Sequence, residues 1–137
     1  MSYFLAKTDP ETYPVSQFQL DKRTTWDGVT NAQAVSVIRS MRPGDRVFLY
    51  HSMGQSAIAG LARVTAPPRP DPANPKSWVV DLEFLKLLEP PTTLAEVKSS
   101  GLFNDWALVR QSRLSTMAAP DSFVAWMRAR YPAAGLK

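Results

Sequence analysis

The sequence predicts an α+β domain, a barrel-like mixed sheet of five or six short strands with about three flanking helices. Three observations lead there. Runs rich in β-branched and aromatic residues recur at short intervals. Stretches of helical periodicity lie between them. Turn residues at hairpin-length spacing join most of these segments. The 137 residues suit one domain, 1–137, since a chain near this length buries about two thirds of its unfolded surface. Hydrophobic residues at 45% and charged residues at 20% exclude a disordered, collagen-like or coiled-coil chain.

Tyr3 to Lys7 reads as the first strand, stopped by Asp9-Pro10 because the residue before proline is pushed out of helical geometry. Ser16 and Gln19 have the spacing to cap a single helical turn. The polar stretch to Thr25 then leads into Trp26-Asp27-Gly28-Val29, whose glycine marks a tight bend. A helix is expected from about Asn31 to Met41, with Ala34, Val35, Ile38 and Met41 on one face and Pro43-Gly44-Asp45 as its stop. Arg46 to Tyr50 and Ala57 to Val64 form a hairpin about the turn Ser52-Met53-Gly54-Gln55. Prolines crowd the segment from Pro67 to Pro75, which predicts a surface loop within the domain.

Trp78 to Leu88 resumes a strand, with Val80, Leu82 and Phe84 alternating against Asp81 and Glu83. Thr93 and Glu96 have capping-box spacing before a short helix that Gly101 closes. Leu108-Val109 and Leu114 to Met117 read as strand pieces. Asp121 or Ser122 is the expected cap of a last helix, Phe123 to Arg130, with Phe123, Trp126 and Met127 turned inward.

Several functions fall away on composition. The chain has no cysteine, which removes disulfides, cysteine-ligated zinc, iron–sulfur clusters and thiol nucleophiles. The first residues, from Met1 to Lys7, form neither a basic n-region nor a long apolar h-region, and no run approaches the roughly 18 apolar residues of a membrane span. The expectation is a monomeric, bacterial-type cytoplasmic protein with no membrane contact. No Gly-x-Ser-x-Gly elbow, phosphate-cradling glycine loop or clustered metal ligands stand in the chain, so neither cofactor, metal nor catalysis is expected. His51 is the single histidine and cannot make a metal site by itself. It reads as a hydrogen-bonding pocket or turn residue; the enzymatic alternative is a small hydrolase or nuclease pairing His51 with Asp27 or Asp45.

The net charge of +4 is unevenly spread. Charges balance through Val97, and the whole excess arises from Lys98, Arg110, Arg113, Arg128, Arg130 and Lys137 against Asp105 and Asp121. That asymmetry suits a polyanion lying against this end of the fold, because phosphate neutralisation supplies much of the sequence-independent affinity for nucleic acid. A merely solvated basic face accounts for it equally well.

Five ordered blocks, MSYFLAKTDPETY, TTWDGVTNAQA, MRPGDRVFLYHS, IAGLARV and VRQSRLS, resemble the EVE domain family over essentially the whole chain. The resemblance implies a PUA-like fold, akin to the YTH domains, and recognition of a modified base in DNA or RNA within an aromatic cavity. By position it implies base- or ligand-binding roles for Lys7 and Thr8, for Trp26, Asp27, Gly28 and Val29, for Asn31, for Tyr50, His51 and Ser52, and for Arg113, Leu114 and Ser115. The sequence departs from the family pattern at Thr30 and Ala32, where relatives carry arginine and tyrosine, at Thr8, where serine is usual, and at Phe4, where tryptophan is common.

Such a site has simple requirements. An unpaired base offers two flat π-faces and a polar edge, so it needs an aromatic wall and a few fixed donors and acceptors. Trp26 is the natural wall, and stacking contributes about 1–3 kcal/mol per base. Asn31, Ser52, Ser115 and the backbone of 27–29 are placed to read the edge, with Lys7 or Arg113 on a phosphate or carbonyl. Burying one methyl contributes only about 0.8 kcal/mol, roughly a fourfold preference; a larger or hydroxylated modification is discriminated better by hydrogen bonding.

The same residues have plainer roles available. Trp78 and Trp126 are assigned to packing, Trp106 fits neither role on sequence alone, and Tyr3, Phe4, Phe48 and Phe84 are read as core. Asp27 as a turn cap, and Arg110 and Arg113 as solvated charges, stay open beside their binding roles. An RNA-binding module indifferent to base modification is the alternative function.

Overall fold

The computed structural model describes residues 1–8, 13–51 and 56–136. Along the chain come β1 (Tyr3–Thr8), α1 (Val15–Asp21), β2 (Arg23–Trp26), α2 (Ala32–Ser40), β3 (Arg46–His51), β4 (Ala57–Val64), β5 (Arg69–Asp71), β6 (Asn74–Thr93), α3 (Leu94–Ser99), α4 (Ala107–Arg110), β7 (Thr116–Ala118) and α5 (Asp121–Arg130), with a 3-10 turn at Pro132–Ala134. The strands form one sheet in the order β2-β6-β4-β3-β1-β7, with β5 paired to β6. The α+β class is the one read from the sequence. The sheet is open rather than closed into a barrel, and among the described residues it has seven strands flanked by five α-helices.

At its centre β1 runs parallel to β3 in unbroken register from Tyr3↔Arg46 to Thr8↔His51; the other pairings are antiparallel. Leu5, Val47, Phe48 and Leu49 are fully buried, as expected of strands covered on both faces. One side of the core closes on α5, where Phe123 meets Phe48 edge-on at 5.4 Å and Trp106 at 4.5 Å. The other closes on α1, where Phe18 meets Phe84 at 5.5 Å. Trp106 thereby resolves as a packing residue, its Nε1 donating to the Ala118 carbonyl at 2.9 Å.

The proline-rich segment is not the loop expected from its prolines but a hairpin, β5 returning into the long strand β6 through Pro72-Ala73, with the Asp71 carboxylate accepting the Ala73 amide at 2.8 Å. β5 lies at an edge, where proline leaves no ladder donor missing. Farther along β6, pairing with β4 skips from Gly60↔Leu87 to Ile58↔Thr92, so Pro90 and Pro91 sit where no ladder bond is needed. Another irregularity, between Leu61↔Lys86 and Ala62↔Phe84, leaves Leu85 outside the pairing and exposed, which ends the alternation that Val80, Leu82 and Phe84 follow.

Other elements also differ. The residues up to Thr25 read as a polar stretch, yet Arg23–Trp26 pairs antiparallel with β6, the Arg23 and Thr25 side chains meeting Glu83 and Asp81 across the strands. Leu108-Val109 belong to a helical turn, with only Thr116–Ala118 extended. Neither Asp121 nor Ser122 caps α5; Pro120 occupies that position and Asp121 is its first residue. Ser16 does not cap α1, which Pro14 precedes. The Thr93–Glu96 capping box forms as its spacing predicts. The Asp9-Pro10 stop and the 52–55 turn lie outside the described residues.

Gly60 fixes the approach of α1 to the sheet. A Cβ at this position lies 3.1 Å from Val15, 3.2 Å from Leu49 and 3.4 Å from Phe84. Gly60→Val is therefore expected to destabilise the domain by about 1–3 kcal/mol in chemical denaturation; an unchanged midpoint contradicts this packing.

Candidate functional site

Where β1 and β2 end, an open cleft of about 550 Å³ is lined by Lys7, Thr8, Tyr13, Thr24, Thr25, Trp26, Asp27, Gly28, Val29 and Ser115. Its size lies within the roughly 300–1,000 Å³ of small-ligand sites. Seven of the residues implied by the sequence pattern meet here: Lys7, Thr8, Trp26, Asp27, Gly28, Val29 and Ser115.

Each is placed by its strand. Lys7 pairs with Tyr50 in the parallel register, and its amide donates to the Ser115 carbonyl at 2.8 Å, so β3 and the approach to β7 hold the end of β1 from both sides. The Lys7 ammonium donates to the Ser112 carbonyl at 2.9 Å and lies 5.5 Å from the centre of the Tyr50 ring. No carboxylate pairs with it among the described residues, and its burial lowers the lysine pKa from the usual value. An ammonium with one carbonyl partner retains donors for a ligand acceptor.

The Thr8 hydroxyl donates to the Tyr13 carbonyl, and the Tyr13 hydroxyl donates to Asp21 at 2.8 Å. In β2 the alternation turns Thr24 and Trp26 to one face and Arg23 and Thr25 to the other. Trp26 is half-buried, its ring 6.5 Å from Phe18, so the indole has a packed support and still borders the cleft. Gly28 has φ of +77°, the left-handed region where glycine alone is unstrained, and it turns the chain between exposed Asp27 and buried Val29.

The remaining predicted residues lie elsewhere. Asn31 caps α2, its side-chain oxygen accepting the Ala34 amide at 3.1 Å. With Gln33, Arg110, Gln111, Ser112, Arg113 and Leu114 it lines an adjoining cleft of about 320 Å³. Leu114 is 5% exposed and is chiefly a core residue. Tyr50 is buried behind Lys7, and burial raises its pKa. His51 Nε2 accepts the Val15 amide at 3.1 Å, satisfying a donor at the start of α1 that no cap residue serves. Ser52 lies outside the described residues.

The structure separates His51 from Asp45, which stand at opposite ends of β3, roughly 20 Å apart at strand rise. The Asp45 carboxylate is occupied by the Ser2 and Arg42 amides, both at 2.9 Å. Sequence reasoning missed Tyr13, Thr24 and Thr25 as cleft residues. The Thr-Thr-Trp run carried the β-branched and aromatic signal for a strand, and that strand borders the cleft. A cavity of about 580 Å³ lies where β7 meets α5, lined by residues that include Phe103, Asp105, Trp106 and Ser122 but by no basic side chain.

Together the open mixed sheet and the cleft at the ends of β1 and β2 define a small α+β domain with a candidate ligand cleft. The EVE domain model matches residues 2–129, and the chain belongs to that family. Human thymocyte nuclear protein 1 is 31% identical, the match covering 72% of this chain and 56% of that protein, so the chain spans about half the length of that curated relative. A Rhodopseudomonas palustris protein solved by NMR is 34% identical with a TM-score of 0.83, covering 89% of this chain and 87% of its own. The crystal structure of human THYN1 protein in complex with 5-methylcytosine containing DNA shares the fold at a TM-score of 0.86 and 24% identity, covering 95% and 97% of the two chains.

The His51 contact makes stability depend on pH. Burial lowers the imidazole pKa below its ordinary 6.5, and Nε2 accepts from Val15 only when unprotonated. The unfolded chain therefore takes up the proton first, so this contribution is complete above about pH 6.5 and is lost as the pH falls below it. Melting temperature is expected to drop as the pH falls below about 6.5, and His51→Gln to flatten that drop. An identical slope in the variant refutes the assignment.

Proposed function

We propose that this domain binds nucleic acid by holding one unpaired, modified base in the cleft beside Trp26. The observation that carries this reading is the open cleft itself: about 550 Å³, with an indole and a phenol among its lining side chains and with polar groups from two strands. Trp26 supplies a π-face, and its ring packs against Phe18 with the centroids 6.5 Å apart. Lys7, Thr8, Asp27 and Ser115 provide donors and acceptors for the base edge, and Val29 provides apolar surface for a substituent. A 5-substituted cytosine is the base of choice, supported by the 5-methylcytosine DNA bound by a protein of the same fold.

Neither catalysis nor a cofactor enters this reading. The Asn31 carbonyl oxygen is committed to the α2 cap, so edge recognition falls to the cleft residues proper. Binding is read from affinities for matched short oligonucleotides with and without 5-substituted cytosine. The modified strand is expected to bind more tightly. Trp26→Leu, which keeps an apolar contact on Phe18 but removes the stacking face, is expected to weaken binding about tenfold or more while the fold persists, because stacking contributes about 1–3 kcal/mol. Equal affinity for modified and unmodified strands replaces the reading with a general nucleic-acid-binding module. Undiminished binding by Trp26→Leu removes the tryptophan wall.

A further inference from the structure

Resting on that reading, we propose that the adjoining cleft binds the strand next to the held base, with Arg113 on the phosphodiester of a neighbouring nucleotide. The ligand is then an oligonucleotide rather than a free nucleoside, and the two clefts divide the work: one reads the base, the other holds the backbone.

The adjoining cleft, about 320 Å³, presents Asn31, Gln33, Arg110, Ser112 and Arg113, and no carboxylate is among its lining residues. Arg113 is exposed and has no ion-pair partner among the described residues. Arg110 meets Asp105 at 3.2 Å, with the two side chains 64% and 97% exposed. Water and salt screen such a pair, so a phosphate displaces the carboxylate readily. A guanidinium fork matches the geometry of a phosphodiester, with two parallel hydrogen bonds available.

Position makes the two clefts one track. Ser115 lines the first and Leu114 the second, so consecutive residues of the chain border the two. Lys7, in the first, donates to the carbonyl of Ser112, in the second, at 2.9 Å. A base seated against Trp26 therefore leaves its sugar-phosphate a short step from Arg113. Helix α2 also begins at this cleft with no acidic residue in its first turn, adding the partial positive charge of its amino end to that of the arginines. The larger cavity near α5 has the opposite character, with Asp105 and no cation in its lining.

The test compares wild type, Arg113→Gln and Arg113→Lys in titrations with the nucleoside 5-methyl-2′-deoxycytidine and with a single-stranded pentanucleotide carrying that base at its centre. Arg113→Gln is expected to bind the nucleoside as wild type does and the pentanucleotide about tenfold more weakly. Its slope of log affinity against log salt is expected to be shallower by about 0.7, the loss of one phosphate contact, and Arg113→Lys to restore the slope. Unchanged pentanucleotide affinity and slope in Arg113→Gln, with wild-type binding intact, overturn this inference alone. An equal loss toward the nucleoside also overturns it, by placing Arg113 at the base. Wild-type protein that binds neither ligand overturns the base-holding reading itself.

Discussion

The cleft depends on the way the end of β1 is clamped. The parallel register with β3 fixes Lys7 opposite Tyr50, and the Lys7 amide bonds to Ser115 on the other side. A shift of one residue in that register turns every β1 side chain to the opposite face, taking Lys7 out of the cleft and an apolar neighbour into it. The fully buried Leu5, Val47 and Leu49 oppose such a slip, because both faces of these strands are packed and a change of face forces each side chain into a space filled by one of another size. Core packing and site geometry are thus the same constraint seen from two ends of one strand.

Much of the fold was legible where a local signal was strong. The RVFLY and AIAGLARV runs became β3 and β4, the Ala34–Val35–Ile38 face became the buried side of α2, and the Thr93–Glu96 spacing became a capping box. Misreadings came where the structure overrides a local preference. Proline argued against β5 because the sequence does not say which strands lie at an edge. β2 was hidden by polar residues, because its outward face carries Arg23 and Thr25 to partners on β6 that only the fold brings near. The single turn of α4 was too short to show a helical period.

For the site, sequence pattern grouped residues that the structure divides by role. Seven share the Trp26 cleft. Asn31 is a helix cap, His51 an acceptor for α1, and Leu114 largely core. Chemistry-bearing residue types are ambiguous in this way: an amide or imidazole suits a ligand and a bare backbone N–H equally, and only the neighbour decides. Conversely Tyr13 and Thr24 reach the cleft from segments without a distinctive motif. Trp26, the natural wall on sequence grounds, lines the cleft.

The structure also bounds how selective such a cleft is. A methyl group alone gives a weak preference, so in the proposed reading discrimination of a modified base rests on stacking at Trp26 together with the donors around it. The most direct test is NMR mapping with the isotope-labelled domain and a 5-methylcytosine oligonucleotide. Shifts are expected to concentrate at the Trp26 indole N–H and the amides of Gly28, Val29 and Ser115. Shifts confined to the cavity around Phe103 and Ser122, with the Trp26 signals unmoved, contradict binding beside Trp26.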